Sequence, residues 1–235
     1  MVNKFQIEQD LWRYFEDGET EESLTSEQYT IKDNGVVNVD AYVARRRSVA
    51  SGILPVKFGY VQGGCSFSEM NLRTLRGSPH SVNGDFDCSH NNLVNLMYAP
   101  KHLADSLRCS NNQLTSLTGC PQVPGELDCS SNKLTDLSTS PPVRVCWATL
   151  NPFQHFRNTP GHIHEVDITY APDLPMLGLL SVHKVEVYDP ETGGLMEQLS
   201  EILTAHCGKG VWHKKNALAC AIDLTKAGFK SNARL

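Results

Sequence analysis

The feature that most constrains this chain is a spacing. Cys88, Cys109 and Cys129 stand 21 and 20 residues apart, and each is followed by serine. Laid out on that period, four lines align on Phe67, Cys88, Cys109 and Cys129. Two residues before each stands Cys65, Phe86, Leu107 or Leu127, and the three cysteines are followed at +3 by Asn91, Asn112 and Asn132. Leucines follow at +5 and +8, a proline at +12 (Pro79, Pro100, Pro121, Pro141), and an apolar residue precedes at −6 (Val61, Val82, Leu103, Val123).

Residues two apart point the same way from a strand, so the −2 and central columns face one interior. A unit of about 20 residues cannot bury its own apolar side and must stack on its neighbours. That gives Cys88, Cys109 and Cys129 a structural part as small apolar fillers. It makes Asn91, Asn112 and Asn132 buried amides that bond turn backbone. So short a unit has no room for a full helix opposite its strand, and the prolines point to an extended, polyproline-like outer side.

The motif LxCxxNxLxxL resembles the leucine-rich-repeat family. The 20- to 21-residue length looks like the short repeats of bacterial type III effectors. The wording CSNNQLTSL at Cys109–Leu117, with the ending KAGFKSNARL, looks more like repeat proteins of tailed bacteriophages. The resemblance implies an α/β fold: a short leucine-rich-repeat solenoid with a parallel concave sheet, a mostly extended convex side, an N-terminal helical cap and a small C-terminal α/β or helical domain. It also implies an interaction scaffold.

The pattern weakens at both ends. Met70 replaces asparagine in the first line, and Val145-x-Trp147 follows the third cysteine unit at 18 residues, with Asn151 displaced by one. This frame makes Trp147 a bulky cover for the open core. The expected organisation is residues 1–56 as helix, hairpin and degenerate capping repeat, 57–152 as the solenoid, and 153–235 as a separate α/β or mainly helical region. Within the first segment, residues 4–17 read as a helix stopped by Gly18, and Asn34-Gly35 reads as a hairpin turn. In the last, Pro175–Leu180 reads as a short helix and Val182–Tyr188 as a strand. Further helices are expected over Leu195–His206 and Asn216–Ala227, the latter with Leu218 and Ile222 on one apolar side.

Residues beside the inward columns form the expected protein-binding face: Asp85, Asp87, Ser89 and His90, then Ser106, Arg108, Ser110 and Asn111, then Glu126, Asp128 and Ser130. Two acidic rungs flank a basic one. The reading is a non-enzymatic protein–protein interaction module needing no cofactor. The phage likeness implies that it binds a host or viral protein in the host bacterial cytoplasm, in counter-defence or host takeover. Eight cysteines without a CxxC pair or an export signal suit a reducing cytoplasm. A net charge of −5 argues against a nucleic-acid binder, and no apolar run is long enough for a membrane span. Monomer and homodimer both fit.

Two alternatives stay open. One is an enzyme or metal-binding protein with its site in residues 162–220, using His162, His164 and His183 as ligands, or Cys207 with His206 or His213 as a nucleophilic pair. The other is a structural, self-assembling repeat protein.

Overall fold

A computed structural model describes residues 2–208 and 213–234. The chain divides into two compact units, Met1–Leu114 with Thr118–Gly125, and Thr115–Leu117 with Glu126–Leu235. Each is built on parallel strands wound as a repeat solenoid.

The first unit opens with α1 (Lys4–Tyr14), where the Asn3 side chain accepts the Gln6 N–H at 3.2 Å and Leu11 is buried. The helical pattern predicted through residue 17 is cut short, because Phe15–Asp17 forms strand β1. Pairing beats periodicity here: Phe15 is fully buried, its ring 5.1 Å from that of Phe58 and 5.7 Å from that of Phe67. Gly18 is not a helix stop. Its missing Cβ makes way for the Tyr42 ring, which would lie 2.5 Å from one.

Strands β2 (Tyr29–Ile31) and β3 (Val36–Val39) form the hairpin predicted from Asn34-Gly35, with Gly35 at φ +78°. Then follow β4 (Val43–Arg45), β5 (Lys57–Val61), β6 (Cys65–Ser66), β7 (Ser81–Val82), β8 (Phe86–Asp87), β9 (His102–Leu103) and β10 (Leu107–Arg108). The even-numbered strands pair in parallel through Val43, Cys65, Phe86 and Leu107, and β1 joins β4 antiparallel. The odd-numbered strands extend β3 as a second parallel ladder. The outer side of this unit is therefore extended, as expected, but strand-paired rather than polyproline-like. Coiling also begins before residue 57, because β4 already lies in register with β6.

In the second unit, β11 (Glu126–Asp128), β12 (Val143–Trp147), β13 (Ile163–Thr169) and β14 (Lys184–Tyr188) are parallel neighbours. A 3-10 turn at Leu177–Ser181, α2 (Glu197–His206) and α3 (Lys214–Lys226) complete it with a short 3-10 turn at Lys230–Asn232. Strands β12 and β13 lie on opposite sides of the boundary expected at residue 152, yet they pair directly. The inward columns continue as Cys146, Val166, Val185 and as Ala148, Ile168, Val187, all fully buried.

The register corrects the sequence alignment by one residue. Leu127 pairs with Cys146 and Asp128 with Trp147, so Ala148, not Trp147, fills the central column. Trp147 points outward, 38% exposed, and covers no core. In this frame Asn151 falls three residues after Ala148, as Asn91 does after Cys88, and Phe153 and Phe156 take the leucine places. At +2 in each of these coils the backbone is left-handed: Glu69, His90, Asn111, Ser131 and Leu150 have φ between 52° and 56°. That turn aims the next residue inward, where asparagine can reach three carbonyls. Asn91 Nδ2 donates to Phe67, Cys88 and Ser89 oxygens at 2.8–3.0 Å, and its Oδ1 accepts the Leu72 N–H at 2.8 Å. Asn151 repeats the arrangement with Cys129, Ala148 and Thr149 oxygens. Cys88, Cys109 and Cys129 are fully buried, and burial pushes the Cys65 and Cys88 thiols well up.

Helix α3 inverts the expected apolar side. Asn216, Cys220 and Leu224 face inward, while Leu218 and Ile222 are 63% and 45% exposed. Asn216 leads this choice because its amide donates to the His206 carbonyl at 2.7 Å. No helix among the described residues is long and apolar enough to cross a membrane.

Candidate binding groove on the second unit

The predicted face divides between the units, and its two parts differ in character. In the first unit, Arg108 Nη1 lies 3.0 Å from Asp85 Oδ2, and the other Asp85 oxygen accepts the Ser106 N–H at 3.2 Å. The basic and acidic rungs thus neutralise one another. Asp87 accepts the Ser89 N–H at 2.9 Å, and the His90 and Asn111 side chains meet at 3.4 Å. Ser89 and Ser110 were expected on the open face, but both are only 7% exposed. The strands here are two residues long, and the chain is already turning where these serines stand.

The second unit holds a different surface. Glu126 is bound by Arg144 at 2.5 Å, and Asp128 accepts the Ser130 N–H at 3.0 Å. Parallel pairing then sets Asp128, Trp147, Asp167 and Glu186 side by side on four successive strands. Neighbouring strands lie about 4.8 Å apart, so an exposed indole stands between carboxylates on both sides. A groove of about 520 Å³ runs over Asp128, Trp147 and Asp167 of this row, and Leu150, Tyr188 and Asp189 also contribute to it.

Asp167 is the unusual group. It is 8% exposed, and among the described residues its Oδ1 has no hydrogen-bond partner and its Oδ2 is reached only by the Tyr188 hydroxyl at 3.5 Å. Burial, then the charges of Glu186 and Glu165, push its carboxyl up to about 6, against the pull of Lys184 and Tyr188. Lys184 is spent elsewhere. Its ammonium is bound to Glu165 and lies 2.6 Å from Glu186, which raises the lysine and lowers Glu186. Tyr188 donates to Glu186 at 2.7 Å, and that bond holds its phenol up.

An acid whose folded pKa lies above its unfolded value binds more protons when folded, so stability falls as pH rises through that window. Between about pH 4 and 6 the ionising Asp167 should therefore cost the fold roughly 2–3 kcal/mol. Asp167→Asn is expected to be more stable than the parent above pH 6, with the difference vanishing near pH 4. Urea midpoints of both proteins across that range check it, and a difference independent of pH would sink it.

Carboxylate oxygens of Glu165, Asp167 and Glu186 lie within 4.8 Å of one another, a donor set suited to a hard cation such as calcium or magnesium. The Lys184 ammonium already supplies positive charge to two of the three. The histidines suggested as ligands do not converge. His164 and His183 stack with centroids 4.8 Å apart, whereas His162 Nε2 lies 3.0 Å from the Ser140 carbonyl oxygen. His164 lies on β13 and His183 immediately before β14, while His162 stands before β13 begins.

The proposed cysteine chemistry meets a similar obstacle. Burial pushes the Cys207 thiol up to about 12, and its Sγ faces the Leu179 carbonyl at 3.6 Å. Such a thiol carries almost no thiolate near neutral pH. Both ring nitrogens of His206 are engaged, with Asn216 at 3.2 Å and Asp223 at 3.0 Å. His213 stands just before α3 and is exposed.

A second hollow, in the first unit, measures about 580 Å³ and has the opposite charge, from Lys57, Arg76 and Lys101, with His80 beside them. All four are exposed, and no buried charged group faces it. The groove on the second unit is the better-built site. Sequence reasoning singled out Asp128 and Ser130 there and gave Trp147 the wrong task. Tyr188 and Glu186 were visible only as the polar alternates of the strand pattern over Val182–Tyr188.

No family model, no curated protein and no solved structure matches the chain.

Proposed function

We propose that this chain is a non-enzymatic protein-binding module of leucine-rich-repeat type, whose working surface is the outward row of the second unit. The observation that carries the reading is the run Asp128, Trp147, Asp167, Glu186 on adjacent strands. Tryptophan is among the residues enriched at binding hot spots, and an exposed one flanked by acids favours a partner with basic groups. The repeat wording supports a phage origin. On that view the partner is a host or viral protein in the bacterial cytoplasm, bound in counter-defence or host takeover.

The test is capture from a bacterial lysate, with the retained protein identified and the pair then rebuilt from purified components. Trp147→Ala combined with Asp128→Lys is expected to weaken that purified interaction at least tenfold while the circular dichroism spectrum stays unchanged. Undiminished affinity in the variant would exclude this row as the docking surface. The reversed set Asp85→Lys and Asp87→Lys is expected to have little effect, because those acids are already satisfied within the first unit.

A further inference from the structure

We infer that the groove on the second unit is a receptor for a single arginine side chain of the partner, with Trp147 as its stacking face and Asp167 as its anion. This rests on the binding-module reading and gives the partner's contact a definite chemistry.

Three observations lead to it. First, the lining includes three carboxylates, Asp128, Asp167 and Asp189, and no Lys, Arg or His among the described residues. Second, Asp167 is a nine-tenths-buried acid with one oxygen lacking a partner among the described residues, which is costly unless something positive arrives. Third, the exposed indole of Trp147 occupies the strand position beside it. A cation within about 6 Å of a tryptophan face gains from the ring quadrupole, and the gain grows as water is excluded.

The shape favours arginine over lysine. A guanidinium is planar, stacks on an aromatic face, and presents a fork of N–H donors in the plane of a carboxylate. One edge can pair with the Asp167 carboxylate, whose covered Oδ1 must turn toward the groove to meet it, while the flat face covers Trp147. Asp189 would stay ionised beside it, because the Thr192 and Glu191 backbone N–H groups hold its carboxyl low. Lys184 does not compete for the position, being bound to Glu165 and Glu186 outside the groove lining.

The test uses the full chain and blocked Gly-Arg-Gly, Gly-Lys-Gly and Gly-citrulline-Gly peptides, read by NMR on the Trp147 indole and the Gly193 amide. The expected result is saturable binding of the arginine peptide with a dissociation constant on the order of 1 mM. The citrulline peptide should bind at least tenfold more weakly, and the lysine peptide should fall between. Asp167→Asn, which keeps the side chain's shape, should lose at least fivefold for arginine while leaving citrulline unchanged. Equal binding of arginine and citrulline would overturn the inference, as would undiminished arginine binding by Asp167→Asn.

Calcium chloride alone is the competing probe. Saturation by calcium together with indifference to arginine would make the acids a metal site and overturn the proposal. Absent arginine binding with partner capture still sensitive to Trp147 would reject the arginine receptor and leave the module reading standing. Arginine binding with capture insensitive to Trp147 and Asp128 would support the receptor and reject the row as the partner's docking surface.

Discussion

Asn112→Ala is expected to destabilise the first unit by about 3–5 kcal/mol, enough to consume a large part of the stability of an ordinary domain. The amide Nδ2 of Asn112 donates to Cys88, Cys109 and Ser110 oxygens at 3.0–3.2 Å, and its Oδ1 accepts the Leu93 N–H at 2.9 Å. Asn112 is 4% exposed, so alanine would strand these groups where little water can reach them. Each unsatisfied buried group costs about 1–3 kcal/mol, and the Leu93 donor with one or two carbonyls accounts for the total. Denaturant melts give the magnitude, and hydrogen exchange gives the place. The Leu93 amide should lose protection first, ahead of the hairpin at β2 and β3. A loss below 1 kcal/mol would mean that the turns are held by something other than the asparagine ladder.

Phe67→Ala should be equally severe, at about 4–5 kcal/mol. Phe67 is fully buried where four rings meet, its centroid 5.7 Å from Phe15, 5.4 Å from Phe58 and 5.8 Å from Phe86. Truncation removes the transfer energy of the ring, leaves a cavity, and forfeits edge contacts worth about 0.5–1.5 kcal/mol per pair. Phe67→Leu, which keeps most of the volume, should cost about 1–2 kcal/mol. Phe5→Ala, at a position 69% exposed, should change stability by less than about 0.5 kcal/mol. Should Phe67→Ala cost no more than Phe5→Ala, the cluster would not be the core of the first unit.

The two expectations rest on features of different legibility. The asparagine ladder could be read from spacing because its partners are local: the turn at +2 and the carbonyls of the same and adjoining coils recur with the period. The phenylalanine cluster could not. Phe15 belonged by its neighbours to a helical stretch, and only antiparallel pairing of β1 with β4 carries it into the core. The groove had the same problem in sharper form. Its acids, Asp128 on β11, Asp167 on β13 and Asp189 just after β14, lie 39 and 22 residues apart, the last two in coils where the leucine and asparagine columns have faded.

Read from residues alone, the chain's period, its inward columns, its buried cysteines and amides and the Asn34-Gly35 turn all follow from short-range chemistry. Strand alternation and the need to stack leave few other arrangements for them. Tertiary structure decided the rest. A slip of one residue in β12 exchanges inside for outside, and that slip moves Trp147 from the core to the open row and seats Ala148 in its place. Beyond residue 152 the coils persist on valine and isoleucine, which fill a buried column as well as leucine does but carry no repeat signature. What brings Trp147 beside Asp167 is hydrogen bonding between strands, a contact that no spacing along the chain encodes.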